Sequence, residues 1–439
     1  MEKNLIGIRR EDINPWEKRV PLIPSHIREL MRDHPLEFRL QPSARRVIPD
    51  EEYAREGAGI DEHLSSCAIL FAIKEIPLHL FEKDKVYIFF SHTAKGQAHN
   101  MPMLKHMAEL GCTLIDYEKM VDDKGQRVLF LGRQAGYAGM IDTLWTYGLA
   151  LKNDGLQTPF APIRQTIRYL NLVEAREAVQ KVGREIRVKG LDRRLLPFVC
   201  GFAGYGHVSQ GAQEIFDLLP FEQVAPRDLA AFVKEGNYSA HRVYKVVFKE
   251  EDMVEPKNRG ARFELQDYYK SPEKYASRFE DYLPYLNILV NGIYWAPKYP
   301  RFVTKDILKR LYAPGAQPRL RVIGDISCDV NGAVECTVKA TDPDHPIYVY
   351  DPVQDRALDG AEGRGPVVMA VYNLPAEIPL ESSVFFSQAL KPYVPTIAAA
   401  DYRGDFARCN LPDVVKMAVI LYRGQLTADY AYLQKFIGS

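Results

Sequence analysis

Along the 439-residue chain, short apolar runs alternate with polar, glycine-bearing turns and amphipathic stretches. Residues 5–8, 68–73, 86–90, 112–115, 197–202, 287–290, 320–323 and 367–371 are rich in aliphatic and aromatic side chains. Runs of this kind predict strands buried on both faces. Helical candidates lie between them: 25–32, which Ser25 is placed to cap, 101–110 after Asn100, and about 162–182. Buried strands alternating with helices predict an α/β fold built on parallel sheets, and the length calls for two domains. The Arg- and Glu-rich stretch 161–190 separates two strand-rich blocks and reads as a connecting helix at a domain boundary. A polar, Tyr-rich segment, 249–284, interrupts the second block and reads as an insertion.

Charge changes this picture only by exclusion. Fifty-seven basic side chains balance 57 acidic ones, so no global field draws the protein to nucleic acid or an anionic membrane. Any anionic ligand must be held by local groups. No apolar run reaches membrane-spanning length, and the opening MEKNLIGIRR lacks the apolar core of a signal peptide. The six cysteines are scattered without a CxxC pair, which predicts thiols in a reducing, cytoplasmic compartment.

The run LLPFVCGFAGYGHVSQGAQEIFDLLP carries the most chemistry. Its apolar strand ends at Gly201, the turn holds Gly204 and Gly206, and a helix opens through His207, Val208 and Ser209. Glycines there let the backbone turn sharply and approach a pyrophosphate, whose charge sits at the helix N-terminus. Ser209 stands at the third glycine position of the usual GxGxxG pattern, with Gly211 two residues later. The next strand-like stretch, 221–225, is followed by Arg227 rather than by the acid an NAD site usually places there. That arginine predicts NADP, through its 2′-phosphate.

Several polar residues fall at the carboxyl ends of predicted strands, where open parallel sheets bind ligands. They are Lys74 and Glu75; His92, Lys95 and Gln97; Asn291; and Asp325 and Asp329. Arg19 adds a guanidinium fork suited to a carboxylate. The histidines show no metal-ligand spacing, so no metal is expected, and neither a GxSxG elbow nor a Walker loop is present.

Long ordered motifs then carry a resemblance: REDINPWEKRVPLIP, FFSHTAKGQAHNMPML, IDYEKMVD, AGYAGMID, GYGHVSQGAQEIF, RFEDYLPYLNILVNGIYW, GDISCDVNGAVE and NLPAEIPLESSVFF. Over nearly its whole length the chain resembles lysine-ketoglutarate reductase, the NADP-dependent, lysine-forming saccharopine dehydrogenase of the alanine dehydrogenase and transhydrogenase group. The resemblance implies two doubly wound parallel-sheet (Rossmann-like) domains facing a central cleft. Residues 1–149 with 379–439 would form the catalytic domain and 165–378 the dinucleotide domain. It implies condensation of L-lysine with 2-oxoglutarate and reduction of the imine by NADPH to saccharopine.

By motif match, Lys74 and His92 resemble the acid-base pair and Arg19 the carboxylate-binding arginine. Glu75, Lys95, Gln97 and Glu118 resemble supporting residues, and Asp329 the aspartate opposite the histidine. Asn291 and the turn Asn373, Leu374, Pro375 resemble nicotinamide contacts. Two positions depart from the family: Tyr372 stands where an Asp is expected, and Gly96 replaces a usual apolar or small residue. Ending at Ser439, the chain is expected to perform only the first of two reactions, with a separate glutamate-forming saccharopine dehydrogenase acting next. A homo-oligomer is compatible with the group. Reductive amination of another oxo acid, as in alanine dehydrogenase or an opine-type synthase, is the alternative enzyme, and a dinucleotide-binding redox sensor the non-enzyme one.

Overall fold

A computed structural model of the protein describes residues 4–258 and 260–438. The chain divides into two compact units, one holding the residues up to Leu131 and those from Pro379 on, the other Gly132–Ile378.

In the first unit, six parallel strands lie in the spatial order Gly59–Ile60, Leu36–Leu40, Asn4–Ile8, Ile69–Phe71, Val86–Phe89 and Thr113–Asp116. Two antiparallel strands, Val419–Tyr422 and Gln425–Leu426, extend the last edge. The chain therefore starts mid-sheet, builds one edge, then returns to build the other. Its winding reverses between Asn4–Ile8 and Ile69–Phe71, which marks where such a sheet binds ligands. Val86–Phe89 is buried at every position, as its unbroken apolar character requires, and so is Thr113–Asp116, although a threonine and an aspartate bound its two apolar residues. The returning helix Pro379–Leu390 accepts the amides of Val20 and Ile23 on its Ser383 and Ser387 hydroxyls, both at 3.0 Å.

The second unit is wound differently. Its parallel strands run Phe221–Gln223, Val243–Phe248, Val199–Ala203, Ile288–Asn291, Val322–Asp325 and Val367–Met369, with Ile347–Asp351 and Arg356–Asp359 antiparallel at the far edge. The strand Val243–Phe248 follows Phe221–Gln223 in sequence yet lies between it and the glycine-turn strand. Helices cover one face around Leu144, Val179 and Ile215. The 249–284 segment, with its short ladder of Val254–Pro256 on Tyr275–Ser277, covers the other around Tyr268 and Phe279.

Some expectations shift. The boundary expected at 149 falls inside a 22-residue helix, Gly132–Asn153, which belongs to the second unit. Most of this helix is buried, so it lacks the one-sided apolar stripe that marks a helix in sequence. The connecting helix begins only at Leu172, where Asn171 caps it by accepting the Glu174 amide, and ends at Lys189. Ser25 sits inside the helix Pro24–Asp33 and caps nothing, because Pro24 takes the first helical position. Among the described residues no helix is long and apolar enough to cross a membrane.

Candidate functional site

At the winding reversal of the first unit, four charged side chains expected there and two that the sequence reading passed over come together. The Asn14 side chain accepts the amides of Trp16 and Glu17, which curls the chain after Asn4–Ile8 into a tight loop. This loop buries Glu17 and Arg19 as a two-pronged pair: Nε to Oε1 at 2.7 Å and Nη2 to Oε2 at 2.5 Å. Arg19 therefore meets a carboxylate of its own chain with the edge that was expected to take a substrate's. Glu11, also buried, accepts the amides of Ile73 (2.6 Å) and Lys74 (3.0 Å), pinning the loop after Ile69–Phe71. Burial, then Glu17, pushes the Glu11 carboxyl up to about 7.

Lys74 is largely buried, and burial together with the Arg19 charge holds its ammonium below the ordinary lysine range. Beside it, Glu75 Oε1 lies 2.5 Å from His92 Nδ1. Burial works to raise the Glu75 carboxyl, but the His92 hydrogen bond and the His92 and Lys74 charges outweigh it and hold it low. His92 has φ +49, a backbone region that non-glycine residues rarely occupy, and its ring stacks on Phe90. Strain of this kind concentrates at functional sites.

The remaining expected residues of this unit spread outward. Lys95 is exposed and donates its amide to Gln97 Oε1 at 3.1 Å. Between them Gly96 has φ +69, and a Cβ there would come within 2.5 Å of the Phe436 ring, which is why glycine stands here. Glu118 is held by Arg127 at 2.8 Å. Next to it the buried Asp116 accepts from Ser91 and is pushed up to about 6 by burial.

In the second unit, Val199–Ala203 runs into the glycine turn and then the helix His207–Phe216. Gly204 has φ +93, and a Cβ there would sit 2.7 Å from Ile293. A Cβ on Gly206 would meet nothing, so the backbone is open to a ligand. The first amide to bond back into the helix is that of Gln210, to the Gly206 carbonyl, so those of His207, Val208 and Ser209 have no helical acceptor. An open glycine backbone before the first-turn amides of a helix fits a pyrophosphate. Ser209 is buried, its amide 3.2 Å from where a Gly292 Cβ would lie, so close packing at the third position is met by a glycine just past the end of the neighbouring strand.

Gly204, Tyr205 and Gly206 open onto a cavity of about 420 Å³ whose other walls include Glu250, Tyr268, Tyr269 and Trp295. Glu250 follows the strand Val243–Phe248, and the Tyr269 hydroxyl donates to its Oε1 at 2.7 Å. Sequence reading missed it because 243–248 was not recognised as a strand; its apolar run ending in Lys-Glu-Glu was the available signal. Arg227 corrects another expectation. It lies beyond the edge strand, is 87% exposed, and faces Asp228 at 3.7 Å, with a whole strand between it and the glycine turn.

Asn291 and Asp325 sit side by side at the ends of paired strands but are buried. The Asn291 amide donates to Asp325 at 2.8 Å, and the Thr337 hydroxyl donates to the other Asp325 oxygen at 2.5 Å. Burial pushes Asp325 up to about 6. Asp325 also accepts the Cys328 amide at 3.2 Å, so the pair ties the two strand ends to the loop that follows. Asp329 is half-buried in a tight turn closed by the Gly332 amide. Asn373 is buried at the start of a short 3₁₀ turn, the Leu374 side chain is in the core against Gly139, and Tyr372 is exposed.

The sequence matches the alanine dehydrogenase/PNT N-terminal domain over residues 7–138 and the alanine dehydrogenase/PNT C-terminal domain over 261–429. Across 99% of its length it is 37% identical to the mitochondrial alpha-aminoadipic semialdehyde synthase of Bos taurus, of which it spans 48%, about half. A NAD(+), L-lysine-forming saccharopine dehydrogenase of Emericella nidulans is 26% identical over 89% of this chain and 92% of its own. Among solved structures, an L-alanine dehydrogenase aligns with a TM-score of 0.60 at 17% identity, covering 98% of both chains, a likeness of fold.

Proposed function

Because the chain belongs to the alanine dehydrogenase/PNT family, we propose that it is a nicotinamide-dinucleotide oxidoreductase that joins L-lysine to 2-oxoglutarate and reduces the imine to saccharopine. The observation that carries this reading is the charge-alternating cluster of Glu11, Glu17, Arg19, Lys74, Glu75 and His92. It occurs in a chain similar over 89% of its length to an L-lysine-forming saccharopine dehydrogenase. NAD or NADP, when bound at the glycine turn, supplies the hydride.

The chain's own residues handle protons and charge. The ε-amine of lysine must be neutral to attack a ketone, and the oxygen must leave as water, so one group must take a proton and another must give one. Lys74, held low by burial and Arg19, serves as one. His92 serves as the other. Its Nδ1 is engaged by Glu75, which leaves proton exchange to Nε2. Arg19 acts on Lys74 through its charge, and Lys95 offers an exposed cation to substrate carboxylates. Glu75 and Glu118 balance that charge, and Asp329, Asn373 and the amides of 207–209 complete the assignment. The six cysteines are all unpaired, which suits a reducing compartment such as the cytoplasm.

The test is oxidation of NADH and NADPH with 2-oxoglutarate, with and without lysine, and mass analysis of the product. Lysine plus 2-oxoglutarate should be consumed at least about tenfold more efficiently than ammonia plus pyruvate, a difference of about 1.4 kcal/mol in transition-state binding. Pyruvate lacks the second carboxylate and ammonia lacks the amino-acid backbone, so fewer of the site's charged groups meet a substrate group. Efficient alanine formation without saccharopine would overturn the assignment and favour an alanine-dehydrogenase-like amination.

A further inference from the structure

In a doubly wound sheet of the usual order, the strand following the first helix lies beside the glycine-turn strand, and an acid at its end holds the adenosine ribose. In the second unit that place is taken by Val243–Phe248, and Phe221–Gln223 is displaced to the edge. The Gly204 amide donates to the Phe248 carbonyl at 3.0 Å, which ties the end of this strand to the glycine turn. Two residues on stands Glu250, lining the same cavity as Gly204 and Gly206.

The rest of that cavity is aromatic and apolar, and among the described residues no lysine or arginine lines it. The Tyr269 hydroxyl holds Glu250 in place, and the Glu250 charge pushes the Tyr205 hydroxyl above its ordinary range, so both tyrosines flank the carboxylate. Glu251 and Asp252 continue the same short helix and add negative charge. Of the nearby cations, Lys249 precedes Glu250 without lining the cavity, and Lys298 donates to the Tyr269 carbonyl at 3.3 Å and lies over the Tyr299 ring at 4.8 Å. Arg227 is a strand further out.

We propose that Glu250 accepts the ribose hydroxyls of the bound dinucleotide and makes this chain select NAD(H) over NADP(H), with the Tyr-rich 249–284 segment as the wall for the adenine. The inference rests on the reading of the chain as a nicotinamide-dinucleotide oxidoreductase and names which dinucleotide that site takes. A carboxylate is an acceptor only, so it suits two hydroxyl donors. A 2′-phosphate in the same place sets a dianion against that carboxylate in a weakly polar cavity, where like charges repel strongly. The tyrosine and tryptophan faces supply flat surfaces for a purine ring.

The experiment is equilibrium binding of NADH and of NADPH to the full chain by titration calorimetry, without substrates. NADH should bind at least about tenfold tighter, equivalent to about 1.4 kcal/mol. Glu250→Ser should weaken NADH and strengthen NADPH, closing or inverting that ratio, whereas Lys298→Ala should leave it unchanged. Should Glu250→Ser fail to fold by circular dichroism, Glu250→Gln, which keeps the shape and removes the charge, must move the ratio the same way. NADPH binding as tightly as NADH to the unaltered chain, or a ratio unmoved by loss of the Glu250 charge, would overturn the selection. Binding of neither cofactor would instead overturn the dinucleotide reading, and this inference with it.

Discussion

At the residue scale, the first unit shows buried charges arranged so that each one sets the next. His92 is aimed by a strained backbone and a Glu75 hydrogen bond. His92→Ala should lower turnover by about 10²–10⁴, with NADH affinity nearly unchanged because the glycine turn belongs to the other unit. Steady-state rates and a calorimetric titration check both halves; wild-type turnover would remove His92 from the chemistry. Arg19 lowers the Lys74 pKa, and its loss also removes the cation that the Glu17 carboxylate holds nearby. Both changes raise Lys74, so the acid limb of the pH–rate profile should move to higher pH in Arg19→Ala. Glu11 titrates at about 7 in the fold against 4.5 ordinarily, so the folded chain binds its proton more tightly than the unfolded chain. Its contribution to stability is then complete below about pH 4.5 and is lost as pH rises through about 7, a change of about 3 kcal/mol. Urea unfolding from pH 5 to 8 should show that decline in the wild type and a flatter profile in Glu11→Gln. Lys74, Glu75, His92 and Arg19 were legible because strand-end rules point to them. Glu11 and Glu17 were not, since a carboxylate's partner across a tight loop leaves no periodic trace.

At the element scale, the second unit depends on two helices meeting backbone to backbone. A Cβ on Gly136 would lie 2.1 Å from the Val208 carbonyl oxygen, and one on Gly211 would lie 2.2 Å from that of Arg133. Helices Gly132–Asn153 and His207–Phe216 therefore approach more closely than any side chain allows, and the open start of the second helix is held by the first. Gly136→Ala should destabilise the protein by about 1–3 kcal/mol through overpacking against rigid backbone. Because the displaced atoms belong to the first turn of the cofactor helix, NADH binding should weaken in step. A variant with unchanged unfolding midpoint and unchanged affinity would show that the contact is not constraining. In sequence Gly211 was visible beside the phosphate turn and Gly136 only within a family motif; that the two are neighbours follows only from the packing.

At the scale of the whole molecule, the second unit is one uninterrupted stretch, Gly132–Ile378, with its own cores on both faces of its sheet. Expressed alone, residues 132–378 should fold and bind NADH with an affinity close to that of the full chain, but show no turnover, since Lys74 and His92 lie outside it. Calorimetry and an activity assay on the excised segment test this. The first unit is discontinuous, and its helix Pro379–Leu390 holds the loop after Arg19. Removal of the residues from 379 should therefore unfold it.

The sequence by itself determined the fold class, the buried strands and the glycine turn, because burial on both faces and a sharp turn before a helix impose local composition that is readable residue by residue. It also placed Lys74 and His92 at neighbouring strand ends, since alternation of strand and turn sets where a strand stops. The order of strands within the sheet has no such local signature. Exchange of the second and third strands of the second unit, set by which surfaces pack together, put Glu250 beside the glycine turn and carried Arg227 to the edge. Which side chain stands next to Gly204, and with it the cofactor selection proposed for Glu250, was thus undecided by residue types along the chain.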